Sequence, residues 1–427
     1  MNIFDTMFPR IRSKILVLVL LALYHVAASG QSDSVTHNLD YYNDAAIKNS
    51  PLLKDYANQI LANRLDSLSI RAQNRPQVNG NVQALYDPAF GNFGYDQAIT
   101  NGGNYAVQIA ATQNILNRKL LKPQYETVNI QGQSIANTAK ISEHDLKHNV
   151  VSQYITVWSD KSQLDNAYKV RKLLKEEENI LRPLVEQGIM KQSSYLSFNI
   201  EKQTDELNLR QLRIQFVIDL MTLNILCGIN DTATLVKLEA PSISRNPVKY
   251  NYFNSQAFLQ YRIDSLQITN QKDLLDARYK PHLAWNADAG FLSASPLFFL
   301  NPGVSLGITL VAPIYDGKQR EIEYQRFGIQ ERSRLNYINF NRNQYDMQFV
   351  TLNNQLTATK ELTENLKSQL RLSDNLIEMN KEELNRGDIS ITDFIVNLRS
   401  DIDIRNSLNQ NQVKEWQIIN DMNYYNW

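Results

Sequence analysis

The chain has 427 residues, and its 44 Lys and Arg balance its 44 Asp and Glu, so the formal net charge is zero. That balance excludes the basic excess a nucleic-acid binder needs, and 43% hydrophobic content excludes a disordered chain. With 15 glycines and 12 prolines, turn-forming residues are too scarce for an all-β fold, so helix should dominate.

Arg10, Arg12 and Lys14 flank the apolar run Ile15 to Tyr24, which is followed by Ala27, Ala28, Ser29 and Gly30. A positive flank, a short apolar core and small residues read as a secretory signal peptide over residues 1–30. The core is too short to span a bilayer, and no later apolar run has the length of a transmembrane helix. No cysteine follows the core, which argues against an N-terminal lipid anchor. Cys227 is the single cysteine. An internal disulfide is therefore impossible, and Cys227 reads as a small buried hydrophobe near a helix end.

The chain is an internal repeat. The stretch Arg75-Pro76-Gln77-Val78 corresponds to Lys280-Pro281-His282-Leu283 at an offset of 205. Tyr105-Ala106-Val107-Gln108-Ile109 corresponds to Val304-Ser305-Leu306-Gly307-Ile308 at 199, and Gly188 to Leu196 corresponds to Gly387 to Ile395 at the same offset. The change of six falls between the first two matches, where a surface loop is expected. The sequence divides into a signal peptide, a first structural repeat over 31–229, a linker over 230–249 with Pro241 and Pro247, and a second repeat over 250–427.

In chain order, each half begins with a helix, about Leu39 to Arg71 and Ser255 to Arg278. A pair of strands of roughly ten residues follows, with period-two alternation. Val78 and Val82, with Gly80 and Ala84, share one face of the first strand, and Asn79, Asn81 and Gln83 the other. Val107 and Ile109 oppose Gln108 in the second. Leu283 and Trp285 oppose Asn286 and Asp288 in the third, and Leu306 and Ile308 oppose Thr309 in the fourth. Strands of this length, apolar on one face and rich in Asn, Gln, Ser and Thr on the other, fit a β-barrel with its apolar face in lipid and a wet lumen. A soluble sandwich is the alternative, and four strands make a poor one.

Long helical segments follow the strand pairs, about Gln124 to Gln187 and Lys318 to Arg386, each reaching roughly 95–105 Å. The first carries an apolar stripe through Leu146, Val150, Tyr154, Val157 and Leu164. The second carries one through Tyr345, Phe349, Leu352, Leu356, Leu362, Leu366, Leu370 and Ile377. Narrow stripes of this kind are coiled-coil seams. Each long helix ends at a glycine turn, Gly188 or Gly387, and a return helix follows with Ser193 or Thr392 as its cap.

This order of helix, strand pair, long helix, glycine turn and return helix, given twice, resembles the TolC family of outer-membrane factors over about Leu39 to Trp427. The prolines Pro76 and Pro281, the phrase Ala312-Pro313-Ile314-Tyr315-Asp316-Gly317 and the turn with Thr392-Asp393 carry the resemblance. It implies a mixed α+β membrane protein: a homotrimer in which each two-repeat protomer gives four strands to one shared transmembrane β-barrel and long helices to a coiled-coil tunnel in the periplasm. It implies a passive exit duct in the outer membrane, for a tripartite efflux pump or a type I secretion system, working with a periplasmic adaptor (membrane fusion) protein and an inner-membrane efflux transporter. The glycine turns would form the tip where the tunnel narrows, with Asp393 at the position of an acidic ring known in some members. Ser194 stands at the equivalent place in the first repeat, and Val396 where a second acidic position would fall. Asp393 as a helix-capping side chain beside Thr392 is the alternative.

His144 and His148 have metal-compatible spacing but no third ligand and no HExxH, so they read as an exposed helix face. Lys172 to Asn179 reads as a charge run solvating a helix near the tip. No nucleophile elbow, P-loop or dinucleotide fingerprint is present, so neither an enzyme nor a cofactor is expected. The competing class is a non-conducting periplasmic coiled-coil scaffold, which the polar strand faces disfavour.

Overall fold

The computed structural model describes residues 36–87, 103–115, 118–231, 237–245, 251–294 and 302–427. The signal segment, the loop assigned to the change of offset and part of the 230–249 linker lie outside these residues. The elements run β1 (Thr36–His37), α1 (Leu39–Asn49), α2 (Pro51–Gln73), β2 (Gln77–Tyr86), β3 (Gly103–Ile115), α3 (Arg118–Glu186) and α4 (Gln192–Leu226). They continue with β4 (Lys237–Leu238), a 3-10 turn at Tyr252–Asn254, α5 (Gln256–Arg278), β5 (His282–Ser293), β6 (Pro302–Val311), α6 (Gln319–Arg386) and α7 (Ile391–Tyr425).

Helix, strand pair, long helix and return helix thus occur twice, and α4 and α7 are each 35 residues long. The strand registers obey the sequence offsets. Gln77 pairs with Thr112, and adding 205 and 199 respectively leads to His282 and Val311, which also pair.

Two expected boundaries move. The helix read from Leu39 to Arg71 is broken at Ser50, because Pro51 has no N–H and drives the preceding residue out of helical conformation (φ −54°, ψ 118°). Pro51 then opens α2, where its missing donor costs nothing. The first long helix starts at Arg118 rather than Gln124, so Pro123 is accommodated within it. The carbonyl of Pro123 accepts from Asn270 Nδ2 (3.1 Å) and Thr127 Oγ1 (2.9 Å).

Contacts divide the chain into two compact units, each drawing on both halves of the sequence. One takes Leu146–Arg245, Asn353–Met422 and the segment ending at Ser50. Its first core joins Tyr42, Val150, Tyr154, Val157, Phe216, Leu220, Leu223 and Cys227. Cys227 is fully buried at the end of α4, as its type suggested, and burial pushes its thiol up to about 12. Asn49 Nδ2 donates to the carbonyls of Cys227 (3.0 Å) and Gly228 (3.1 Å), satisfying the end of α4. The hydroxyl of Tyr154 donates to the carbonyl of Glu239 (2.7 Å), close to the parallel β1–β4 pair, which the sequence did not suggest.

The seam of the second long helix differs from its expected stripe. Leu352, Leu356 and Ile377 are buried, but Leu362 is exposed, and Thr359, Thr363 and Ser373 take the inward positions instead. Asn411 of α7 answers them, its Nδ2 donating to Thr359 O (2.8 Å) and Thr363 Oγ1 (2.7 Å). Asn409 donates to Ser159 Oγ (3.0 Å), and Ser373 to Asp401 (2.8 Å), which also accepts from Arg405 Nε (2.7 Å). The charge run Lys172 to Asn179 is likewise not wholly solvated: Leu174 and Glu177 are buried, and burial raises the Glu177 carboxyl above its usual range.

The other unit takes Pro51–Asp145, Asn246–Leu352 and Asn423–Trp427, and contains the sheet. Buried asparagines tie its helices: Asn63 Nδ2 donates to Val128 O (3.0 Å), and Asn137 Nδ2 to Gln260 Oε1 (3.0 Å).

One half-buried carboxyl gives the first unit a pH dependence. Burial, and then the neighbouring Asp219 carboxyl, raise Asp160 of α3 to about 7. A carboxyl raised in the folded state contributes stability that is present at low pH and is lost as pH rises through about 7. Asp160→Asn should therefore raise the thermal unfolding midpoint at pH 8 and leave it nearly unchanged at pH 4. A variant less stable than the parent at pH 8 would contradict this assignment.

Candidate functional site

Two features were expected to carry function, the sheet and the glycine turns. The sheet is antiparallel throughout, in the order β2-β3-β5-β6, so among the described residues β2 and β6 are its two open edges. The register places Val82 opposite Val107, and Val107 opposite Phe291. Val78 pairs with Ala111, Ile109 with Gly80 and Ala289, Leu283 with Leu310, Trp285 with Ile308, and Ala287 with Leu306. Paired residues share a face, so all eight residues expected on the apolar side of the four strands do lie on one side. Val82 is 80% exposed and Leu306 88%, so among the described residues no layer covers that face.

Asn79, Asn81, Gln83, Gln108, Asn286, Asp288 and Thr309 lie on the opposite side. Gln108 Nε2 donates to Asp288 Oδ1 (3.2 Å), and the Ser305 hydroxyl donates to Asp288 Oδ2. Each face carries exceptions. Leu85 and Leu292 lie on the polar side, while Gln113 lies on the apolar side and accepts from Trp285 Nε1 (3.1 Å), so neither of these two polar groups is orphaned.

The glycine turns lie in the other unit, and both have the expected chemistry. Gly188 (φ 73°) and Gly387 (φ 78°) occupy the left-handed region that other residues avoid. Gly188 N donates to Val185 O and Ile189 N to Leu184 O, while Gly387 N donates to Leu384 O and Asp388 N to Glu383 O. These are paired Schellman closures of α3 and α6. Beneath them Leu174, Leu181, Phe198, Leu384, Ile391 and Phe394 form a second buried core.

The helix starts after the turns differ from expectation. Thr392 and Ser193 are not caps; both are exposed residues inside the first turn. The cap of α7 is Ser390, whose Oγ accepts from Asp393 N (3.1 Å) and donates to Asp393 Oδ2 (2.7 Å). Asp393 is exposed and tied into this reciprocal arrangement, three residues from the cap that sequence reading missed. The equivalent cap of α4 is Lys191, which makes no side-chain hydrogen bond, and Ser194 N donates only to the Lys191 carbonyl (3.1 Å). The bidentate contact of Arg399 with Glu201, its Nε at 2.9 Å, joins the two return helices below.

His144 and His148 are not an exposed face. The His144 ring stacks on Trp427 (4.0 Å) and Tyr424 (5.0 Å), and His148 Nε2 lies 2.8 Å from Asp421 Oδ1. Their partners stand some 280 positions away, where helical spacing gives no hint of them. Among the described residues no cluster of His, Cys, Asp or Glu could hold a metal ion, and no helix is long and apolar enough to cross a membrane.

No family model and no curated protein matches the sequence. Solved structures do. CusC, described with transmembrane channel formation, superposes with a TM-score of 0.72 over 92% of either chain at 12% identity. The outer-membrane protein VceC of Vibrio cholerae gives 0.71 over 91% of this chain and 96% of its own at 10% identity. The open state of the MtrE outer-membrane channel of Neisseria gonorrhoeae gives 0.71 over 91% and 88% at 11%. The chain has the fold of these outer-membrane proteins over nearly its whole length.

The unequal caps give a direct expectation. Ser390→Ala should cost the first turn of α7 about 1 kcal/mol and speed amide exchange at Ile391 to Phe394 roughly fivefold. Lys191→Ser should slow exchange at the start of α4 by a similar factor. Equal exchange in parent and variants would remove the assigned cap.

Proposed function

We propose that the chain is one protomer of a homotrimeric exit duct, with a shared β-barrel in the outer membrane and its helices in the periplasm. The observation that carries the reading is the sheet: four strands, two open edges and an apolar face left bare. In hydrocarbon, unpaired edge N–H and C=O groups each cost several kcal/mol, roughly, so a spanning sheet must close. Four strands are too few to close alone, and three copies supply twelve. The fold shared with solved outer-membrane channels supports the same reading. The repeats 31–229 and 250–427, joined by 230–249 after a signal segment, are the units that build it.

In this reading Val78, Val82, Val107, Ile109, Leu283, Trp285, Leu306 and Ile308 face lipid. Asn79, Asn81, Gln83, Gln108, Asn286, Asp288 and Thr309 line the lumen. The duct performs no chemistry. It conducts small molecules handed to it by an inner-membrane efflux transporter through a periplasmic adaptor protein, which docks at the glycine-turn tip. Membrane fractionation followed by single-channel recording tests this. Discrete conductance from outer-membrane trimers is expected, whereas a soluble protein without conductance would leave the scaffold reading.

Val82→Arg or Leu306→Arg should impair barrel insertion by roughly 2–4 kcal/mol per protomer, while Gln83→Arg inserts and alters conductance. Equal tolerance on both faces would reverse or abolish the face assignment.

At the tip, Gly188, Gly387, Thr392, Ser194 and Asp393 surround the constriction, and threefold symmetry brings three Asp393 carboxylates around one axis. Like charges held together attract cations, so Asp393→Asn should abolish block by divalent cations added from the periplasmic side. With Val396 in place of a second acid, that block should be weak and salt-sensitive. An unchanged cation response in the Asn variant would leave Asp393 as a partner of the Ser390 cap alone.

A further inference from the structure

A cleft of about 920 Å³ opens within the sheet-bearing unit, far in sequence from the strands and turns already described. Its walls come from α3, the 3-10 turn with α5, α6 and the C-terminal residues. They are unusually aromatic: Tyr252, Tyr261, Tyr345, Tyr424, Tyr425 and Trp427 all line it. The rings already engage in ordered stacking, since the His144 imidazole lies nearly parallel to the Trp427 indole (5°), and Tyr345 meets Tyr425 edge-on at 5.2 Å.

Two further observations point to a ligand. Tyr252 is only 3% exposed, yet its hydroxyl has no hydrogen-bond partner among the described residues, and the same holds for Oε1 of Gln256, its neighbour in the wall. Unpaired polar atoms in such a place are destabilising, so a site that keeps them has a use for them. The lining itself also carries charge of one sign, although Arg334 just outside it acts on Asp264. It includes the carboxylates Asp145 and Asp264 but neither lysine nor arginine. Asp145 accepts from the Tyr424 hydroxyl (2.7 Å), which holds it at the aromatic wall, and Asp264 accepts from Gln260 (3.0 Å).

We infer that this cleft binds a small aromatic cation bearing N–H donors, an arylamine or arylamidine in its protonated form. Tyrosine and tryptophan faces attract a cation and accept a flat ring. The two carboxylates accept N–H groups, while the Tyr252 hydroxyl and the Gln256 oxygen, closed to solvent as they stand, join the polar end as their side chains turn toward the ligand. A cleft of this volume encloses a molecule of drug-like size, and a few placed polar groups in an apolar wall are how such sites fix orientation. The inference is independent of conduction, because it needs only the folded unit.

Benzamidine and its neutral isostere benzamide separate the parts of this assignment. Calorimetric titration of the full-length protein in detergent should show benzamidine binding at least tenfold more tightly than benzamide. Asp145→Asn should erase most of that preference while the weak benzamide binding persists. Tyr252→Phe, which keeps the ring and removes the unpaired hydroxyl, should weaken benzamidine several-fold with the oligomer unchanged on size exclusion. Equal affinity for the two probes, no binding of benzamidine, or a preference untouched by Asp145→Asn would each overturn the inference.

Discussion

The structure turns on unsatisfied backbone groups. A four-stranded sheet with β2 and β6 as free edges exposes two rows of N–H and C=O groups, a template that soluble proteins cover, charge or twist away. Here the edges carry Val78 and Val82 on one side and Val304, Leu306, Ile308 and Leu310 on the other, without a lysine in either strand. Left bare in water this is an aggregation site; in lipid it is forbidden. Closure by further copies satisfies both requirements at once. In the proposed closure the exposed valines and leucines would face hydrocarbon, and the Asn and Gln side chains a wet interior.

The helical part solves a different problem. Two very long helices and their return partners cannot rely on leucine alone, because a uniform apolar seam allows sliding between registers. The buried Asn411–Thr359–Thr363 and Asn409–Ser159 contacts can form in one register only, since a shift by a turn would leave buried amides unpaired. The Ser373–Asp401–Arg405 set adds a third such fastening. Polar seams of this kind trade some hydrophobic stabilisation for a fixed alignment, which the proposed conduit with its tip at the glycine turns would require.

What could be read in the sequence was what depends on local periodicity. Alternation fixed the strand faces because a one-residue slip would invert every side chain, and the repeat offsets carried the β2–β3 register onto β5–β6 without adjustment. The glycine turns were legible because only glycine is at ease at their backbone angles. Features that depend on distant partners were not. The stripe through Leu362 looked continuous because counting apolar residues passes over Thr359 and Thr363, whose inward role needs Asn411. The aromatic partners of His144 lie at the far end of the chain. Ser390 was hidden behind Ile391, although its spacing to Asp393 is a capping-box signal. Pro51 was a missed local signal as well, since proline at that point ends a helix on steric grounds.

The most direct measurement concerns the contact between copies. Within the chain, Ile109 of β3 pairs with Ala289 of β5. Ile308 lies 199 residues beyond Ile109, and Ala84 lies 205 before Ala289, so the same geometry repeated between neighbours sets β6 Ile308 opposite β2 Ala84 of the next copy. A protein carrying both Ala84→Cys and Ile308→Cys should, on mild oxidation in the membrane, yield a covalent ladder that ends at the trimer, while either single variant yields none. Cross-linking that stops at dimers, runs on beyond three, or fails although both cysteines react with a small thiol reagent would contradict closure of the sheet through its open edges.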